Sequence, residues 1–421
     1  MEFDGINRRG LRVDYPTILL YAALVFWGWI SIYAAVYNEE HTSIFDISQK
    51  YGKQLMFMGG AVVLITGILL TNVRIWTNLA PIWYGVIIVL LIAVLIVGKK
   101  VGGARSWFAL GSFSLQPSEL AKFATALMLG YYLSFQRNNV KYWSKRLQAI
   151  AIILLPAVII ALQPDMGSTI VFFSLLLVLY REGVPGYYIS IGLGIVVLAI
   201  SGLIFPLKNT LIAIGIVWGL ALLILPKTFK WIGLNSLFAG LSASIVFTVG
   251  FVMENVLAAH HSQRIRILLG LEDDPSGAGY NTLQSLIAIG SGGWNGKGFL
   301  NGTQTKFNFV PEQSTDYIFC TVGEEWGFLG SALLMLLFGA LLARLLFLAE
   351  RQKNTFYRVY GYSVFSILLI HYIINIGMTI GLMPTIGIPL PFFSYGGSSL
   401  WGFTLLLFIF VKMDAERMNT L

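Results

Sequence analysis

Residues 79–98 read LAPIWYGVIIVLLIAVLIVG, a run without one charged side chain. At about 1.5 Å per residue a helix of this length crosses a hydrocarbon layer of about 30 Å. The run lacks the apolar–polar alternation of a barrel strand. In hydrocarbon every backbone N–H and C=O must be satisfied within the protein, so only helices and closed barrels span it. This stretch therefore predicts a membrane-spanning helix.

The rest of the chain repeats the pattern. Of 421 residues, 57% are hydrophobic and 11% charged, whereas a soluble domain has about a quarter of its residues charged. A mean hydropathy of +0.76 over the whole length requires apolar side chains that face lipid. Candidate spans, marked by apolar length and by charged or Pro/Gly breaks, are 17–36, 55–71, 79–98, 118–135, 147–162, 168–180, 187–205, 209–225, 234–258, 315–347, 358–381 and 396–412. The fold expected is all-α: a polytopic transmembrane helical bundle of about twelve spans, forming one integral membrane domain over residues 1–421. Asn7, Arg8, Arg9 and Arg12 precede the first run with no small-residue cleavage site after it, so the first helix is expected to stay as an anchor with its basic end inside. Cys320, the single cysteine, excludes an internal disulfide and suits a small buried hydrophobe. The net charge of +8 suits anionic headgroups or phosphates. No basic cluster is dense or interleaved with aromatics, which argues against nucleic acid.

Basic residues in short loops set the orientation. Arg137 to Arg146, Arg181, Lys227 with Lys230, Arg351 to Arg358, and the tail with Lys412 and Arg417 all fall on one side when the spans alternate. Both termini are then expected in the cytoplasm. Three segments fall outside: 99–117, a large loop at about 259–314, and the Pro/Gly-rich 382–395.

The large loop carries His260, His261, Arg264, Arg266, the acidic Glu272 to Asp274, a short amphipathic segment from Asn281 to Ile289, glycines at 290, 292 and 293, and Lys297 and Lys306. Such glycines either let backbone N–H groups approach a phosphate or simply turn the chain. Ser314 or Thr315 reads as a helix N-cap, with Asp316 in the first turn. That carboxylate either complements the helix dipole or is an ionisable group at the mouth of a span, facing a polar cavity. Glu119 and Lys122 pair at i and i+3 or snorkel. Trp107, beside Arg105, suits an interfacial anchor. Glu324 and Glu325 demand polar partners inside a span. Asp165, with Pro164 and Gly167, reads as an outer turn. His371 and Asn375, at i and i+4, suit interhelical hydrogen bonds. No spacing reads as a zinc site, and no metal-binding residue is assigned.

Several blocks, in order, resemble the SEDS family (shape, elongation, division and sporulation). They are Gly103-Ala104-Arg105-Ser106-Trp107, Gln116-Pro117-Ser118-Glu119-Leu120-Ala121-Lys122, Gln163-Pro164-Asp165-Met166-Gly167, the stretch from Asp274-Pro275 through Gly302-Thr303-Gln304-Thr305 to Pro311-Glu312 and Thr315-Asp316-Tyr317-Ile318-Phe319, and Gly387-Ile388-Pro389-Leu390-Pro391 with Phe393-Ser394-Tyr395-Gly396-Gly397-Ser398-Ser399. The Gly302 to Thr305 block resembles elongation members more than division members. The resemblance implies a peptidoglycan glycosyltransferase of the bacterial cytoplasmic membrane that polymerises lipid II and releases undecaprenyl pyrophosphate, beside a class B penicillin-binding protein as transpeptidase. It maps the family's essential aspartate onto Asp316. It makes Arg105, Trp107, Glu119, Lys122, Lys297, Glu312, Thr315 and Ser398 candidate substrate-binding residues.

Two departures stand out. Ser314 occupies a position where the family commonly has His, so no acid–base role of that His operates here. The family has about ten spans, and this chain adds an apolar hairpin between 187 and 258.

The implied chemistry is attack by a sugar hydroxyl on the anomeric carbon of the donor, with Asp316 as base. The leaving pyrophosphate would be stabilised by Lys122, Arg105, Lys297 or a divalent cation such as Mg or Mn. The alternatives are a lipid II flippase or transporter, and a non-catalytic scaffold of the elongation machinery.

Overall fold

Polar residues at the edges of apolar runs decide where the helices begin. In the computed structural model, which describes residues 13–37, 43–101, 104–110, 113–135, 140–224, 226, 228–255, 259–269, 271, 279–307 and 309–417, α1 (Tyr15–Val36) opens at Asp14. The Asp14 carboxylate accepts from the amide and the hydroxyl of Thr17, which satisfies N–H groups that the helix itself leaves unpaired. Next come α2 (Lys50–Leu70), the short α3 (Val73–Asn78) and α4 (Ala80–Val97). The segment at 99–117 adds to the all-α expectation a small antiparallel sheet of β1 (Lys99–Val101), β2 (Ala104–Leu110) and β3 (Phe113–Leu115), in that order across the sheet. Pro117 starts α5 (Pro117–Ser134), with Glu119 in its first turn. After α6 (Trp143–Ala161), Asp165 caps α7 (Met166–Phe173) by accepting from the Ser168 amide, and α8 (Leu175–Arg181) continues past Ser174. The chain then forms α9 (Tyr187–Ile204), α10 (Leu207–Ile224), α11 (Phe229–Asn255) and α12 (Ala259–Leu268). It ends with α13 (Tyr280–Gly292), α14 (Thr303–Lys306), α15 (Ile318–Glu350), α16 (Thr355–Thr379) and α17 (Gly397–Ala415).

Ten of the described helices are long and apolar enough to cross a membrane: α1, α2, α4, α6, α9, α10, α11, α15, α16 and α17. Against about twelve expected spans, the other two candidates coincide with α5, whose Ser118, Glu119 and Lys122 lower its hydropathy, and with the shorter apolar stretch of α7 and α8. The large loop is substantially helical, and its expected amphipathic segment coincides with α13. His260, His261 and residues 272–278 lie outside the described residues and side chains.

The chain divides into two compact units, Met1–Val184 with Gln284–Leu421, and Pro185–Leu283. In the larger unit α16 and α17 are the innermost spans, about three-quarters buried, whereas α4 presents most of its surface outward. Close approach there uses small residues: a Cβ at Gly402 of α17 would lie 3.1 Å from the Glu119 carbonyl of α5. The smaller unit packs α9, α10 and α11 around a cavity of about 530 Å³ lined by Leu198, Phe205, Val217, Trp218 and Phe238.

The helix ends of the larger unit gather into two opposite sets. One set is rich in ion pairs. Arg344 bonds Asp14, Arg351 bonds Asp414, Arg181 meets Glu350 at 2.9 Å and Arg358 meets Glu182 at 2.8 Å. Lys412 also donates to the Leu69 carbonyl at the end of α2. These are the loops that the basic-residue pattern groups together. The opposite ends of the same helices meet around residues 312–317.

Candidate active site

Residues 311–317 form consecutive turns, and α15 starts only at Ile318. Asp316 therefore precedes the helix rather than lying in its first turn, and neither Ser314 nor Thr315 acts as the N-cap. Internal bonds shape the turn. The Glu312 carbonyl accepts from the Thr315 amide at 3.2 Å and the Tyr317 amide at 3.1 Å, and the Thr315 hydroxyl donates to the Glu312 carboxylate at 2.8 Å. Gln313 anchors it from below, donating to the carbonyls of Ala35 and Thr305, each at 2.7 Å.

Three successive carbonyls of this turn are held from one direction. Ser314 O accepts from the Tyr395 amide at 2.9 Å, Thr315 O from the Ser394 hydroxyl at 2.6 Å and Asp316 O from Asn375 Nδ2 at 2.7 Å. Asn375 Nδ2 also donates to the Ile388 carbonyl at 2.7 Å, while His371 Nδ1 meets the Pro389 carbonyl at 3.1 Å. His371 and Asn375 are thus structural, as their spacing suggests. Their partners, however, are the Pro/Gly-rich segment and the backbone of Asp316 itself.

Asp316 is partly exposed, and a Cβ on Gly387 would lie 3.3 Å from its Oδ2. Gly387 has φ of +77°, a conformation that favours glycine. The far side of the same segment touches α7, since a Cβ on Gly167 would lie 3.1 Å from the carbonyls of Gly387 and Ile386. Beside Gly167, Asp165 accepts from Gln116 Nε2 at 2.9 Å. Ser398 completes the join: its hydroxyl donates to Ser114 O at 2.7 Å and accepts from the Gln116 amide at 3.2 Å. Sequence blocks hundreds of residues apart are thereby joined through the segment that carries Gly387.

The remaining candidates are placed as follows. Glu119 and Lys122 pair at 2.7 Å with side chains 3% and 2% exposed, and the ammonium lies 4.5 Å from the Phe403 ring centroid. Arg105 and Trp107 occupy one face of β2, two residues apart. Arg105 is exposed, its amide bonds the Gln163 carbonyl, and Trp107 pairs in register with Lys99. Glu312 is exposed. Lys297 donates to Glu324 and to Thr303, each at 2.7 Å. The buried Glu324 also accepts from the amides of Gln304 and Thr305 at 2.8 and 2.9 Å, and Glu325 accepts from the Leu300 amide at 3.2 Å. That set answers the demand of Glu324 for polar partners inside an apolar helix, whereas Glu325 Oε2 is buried without a hydrogen-bond partner.

The same region breaks the helix. At Gly327, φ is +63° and ψ −157°. The carbonyls of Glu324 and Glu325 accept from the amides of Lys297 and Gly298, and the amides of Phe328 and Leu329 donate to Gly293 and Trp294. Glycines 292 and 296 press against this backbone, where a Cβ would lie 2.0 Å from Gly323 O and 2.1 Å from Glu325 O. A side chain at either position would collide with this backbone.

Sequence reasoning missed Lys50, whose ammonium donates to Ser314 Oγ at 2.8 Å and lies 5.8 Å from the Tyr395 ring centroid. Burial pushes the Tyr395 phenol above its ordinary pKa. No group of three or more His, Cys, Asp or Glu side chains gathers among the described residues.

A family model described as FtsW/RodA/SpoVE cell cycle protein matches residues 15–213 and 194–419. The peptidoglycan glycosyltransferase RodA of Treponema pallidum (strain Nichols) is 31% identical over 96% of this chain and 98% of its own. The peptidoglycan glycosyltransferase MrdB of Escherichia coli (strain K12) is 34% identical over 91% of this chain and 86% of its own. Among solved structures, a chain from work on the structural coordination of polymerization and crosslinking by a peptidoglycan synthase complex aligns with TM-score 0.70 and 28% identity, covering 97% of this chain and 99% of that one. The crystal structure of the Thermus thermophilus rod shape determining protein RodA aligns with TM-score 0.63 and 25% identity, covering 97% and 98%.

Proposed function

The chain belongs to the FtsW/RodA/SpoVE family and is a RodA-like peptidoglycan glycosyltransferase, and on that premise we propose that Asp316 is its catalytic base. The acceptor lipid II brings a sugar hydroxyl to the Asp316 carboxylate. As the hydroxyl oxygen bonds to the donor's anomeric carbon, its proton passes to Asp316. The carbon–oxygen bond to the pyrophosphate breaks, and that electron pair leaves on undecaprenyl pyrophosphate. Attack opposite the leaving group inverts the anomeric centre. Positioning two lipid-anchored reactants in one place contributes much of the acceleration.

The observation that carries this reading is a partly exposed aspartate on a backbone fixed by three consecutive carbonyl hydrogen bonds. A base must be held within hydrogen-bond reach of the proton it takes. Arg105 and Trp107 on β2, with Glu312 and Thr315, contact the sugars and peptide of the two substrates, and the buried Ser398 holds the segments beneath them together. The buried Glu119–Lys122 pair steadies the start of α5 beneath them, and Lys297 steadies Glu324.

In this reading the chain crosses the bacterial cytoplasmic membrane about twelve times, with α5 and the α7–α8 stretch as the two additional spans. The ion-paired, Arg-rich end faces the cytoplasm, as basic loops do, and Asp316 faces outward, where a class B penicillin-binding protein docks to crosslink the product. The test is lipid II polymerisation by purified chain and partner in proteoliposomes. Asp316→Asn should fold normally and make no polymer. Polymer at the wild-type rate would refute the base, and lipid II translocation without polymer from the wild type would favour a flippase.

A further inference from the structure

The sequence named Lys122, Lys297 and Arg105 as cations for the departing pyrophosphate, and the geometry commits each of them elsewhere. Lys122 is enclosed with Glu119, Lys297 is tied to Glu324, and Arg105 reaches back toward the Leu95 carbonyl at the end of α4. Lys50, the first residue of α2, is placed differently. It is partly exposed, and among the described residues no carboxylate lies within ion-pair distance of it. Its ammonium donates to the hydroxyl of the buried Ser314, two residues before Asp316. An ammonium has three N–H donors. Ser314 takes one and fixes the position of the charge, and the Tyr395 ring 5.8 Å away adds a weak attraction.

A placed cation with unused donors, held by the residue two positions before the proposed base, suits a multiply charged anion. We propose that Lys50 binds the pyrophosphate of the polyprenyl-linked donor and stabilises the charge that collects there as the bond to the anomeric carbon breaks. This rests on the reading of Asp316 as base. Lys50 keeps its protons throughout: it only donates hydrogen bonds to phosphate oxygens, while the hydroxyl proton goes to Asp316. Ser314 places the ammonium and does not touch the substrate.

The test measures binding of undecaprenyl pyrophosphate, and of uncharged undecaprenol, to the full chain in phosphatidylcholine nanodiscs. Lys50→Met should weaken pyrophosphate binding roughly tenfold or more and leave undecaprenol binding unchanged. Lys50→Arg should restore most of the affinity. Ser314→Ala, which removes the tether but keeps the charge, should weaken binding by less than Lys50→Met does. If Lys50→Met does not fold, Lys50→Gln takes its place with the same expectation.

Wild-type pyrophosphate affinity in the charge-removed variant overturns the proposal. An equal loss in Ser314→Ala also overturns it, because the lysine would then merely brace the turn. Competition by phosphatidylglycerol as strong as by the pyrophosphate would make this a headgroup site and overturn the donor assignment. Asp316→Asn, assayed in parallel for polymerisation, tests the base separately from the binding result.

Discussion

Asp316 Oδ2 lies 3.3 Å from the point where a side chain on Gly387 would begin, and Gly387 holds φ of +77°. Any side chain there would both strain the backbone and crowd the proposed base. Gly387→Ala should cost about 1–2 kcal/mol from the left-handed conformation and should lower the polymerisation rate by more than the stability loss accounts for. Thermal unfolding in detergent and lipid II turnover, measured on one preparation, check this. Unchanged turnover would show that the carboxylate has room to move.

Asn375 joins Asp316 O to Ile388 O through one amide group. Asn375→Ala should leave two carbonyls short of a donor and destabilise the chain by about 1–3 kcal/mol. Because one of those carbonyls belongs to Asp316, polymerisation should fall as well. A variant with lowered thermal stability and full turnover at low temperature would separate the scaffold from the chemistry.

Lys297 is about a quarter exposed, and its partner Glu324 is fully buried. Lys297→Met should leave that carboxylate with neutral donors alone and destabilise the chain by about 2–3 kcal/mol. Glu324→Gln in the same background should recover part of the loss, because the uncompensated charge is gone. A double-mutant cycle of unfolding temperatures measures the coupling, and additive losses would contradict the pairing.

Asp14 provides a pH signature at the ion-paired end. Burial acts to raise its pKa, but hydrogen bonds from Arg344 and Thr17 outweigh burial and hold it below the ordinary carboxylate value. A depressed folded pKa means that its stabilisation is present above the unfolded value of about 3.9 and is lost as pH falls through the folded value. The unfolding-temperature gap between wild type and Asp14→Asn should therefore be constant near neutrality and shrink in acid below about pH 4. A gap that persists unchanged at the lowest pH reached would contradict the assignment.

The spans were legible because hydrocarbon imposes one rule on every backbone group, and apolar length records that rule directly. Asp316 stands out in the sequence through its motif. Its exact setting does not: three bonds from residues 375–395 hold the turn open and delay the helix to Ile318, and those partners lie far along the chain. Lys50 was hidden for the same reason, since Ser314 is 264 positions away. Within its own neighbourhood it is one lysine at a loop end. The strands at 99–115 are too short for alternation to identify them. The apolar run containing Gly327 looks continuous because hydropathy does not register a reversed φ.

The three carbonyl bonds behind Asp316 have a kinetic corollary. With Ser314, Thr315 and Asp316 each tethered, the peptide planes on either side of the carboxylate cannot rotate together without breaking several bonds at once. The oxygens can swing about χ1 and χ2, but the residue is not carried toward a sugar by a closing flap. On the proposed reading, the sugars travel to a stationary anvil rather than the anvil to the sugars.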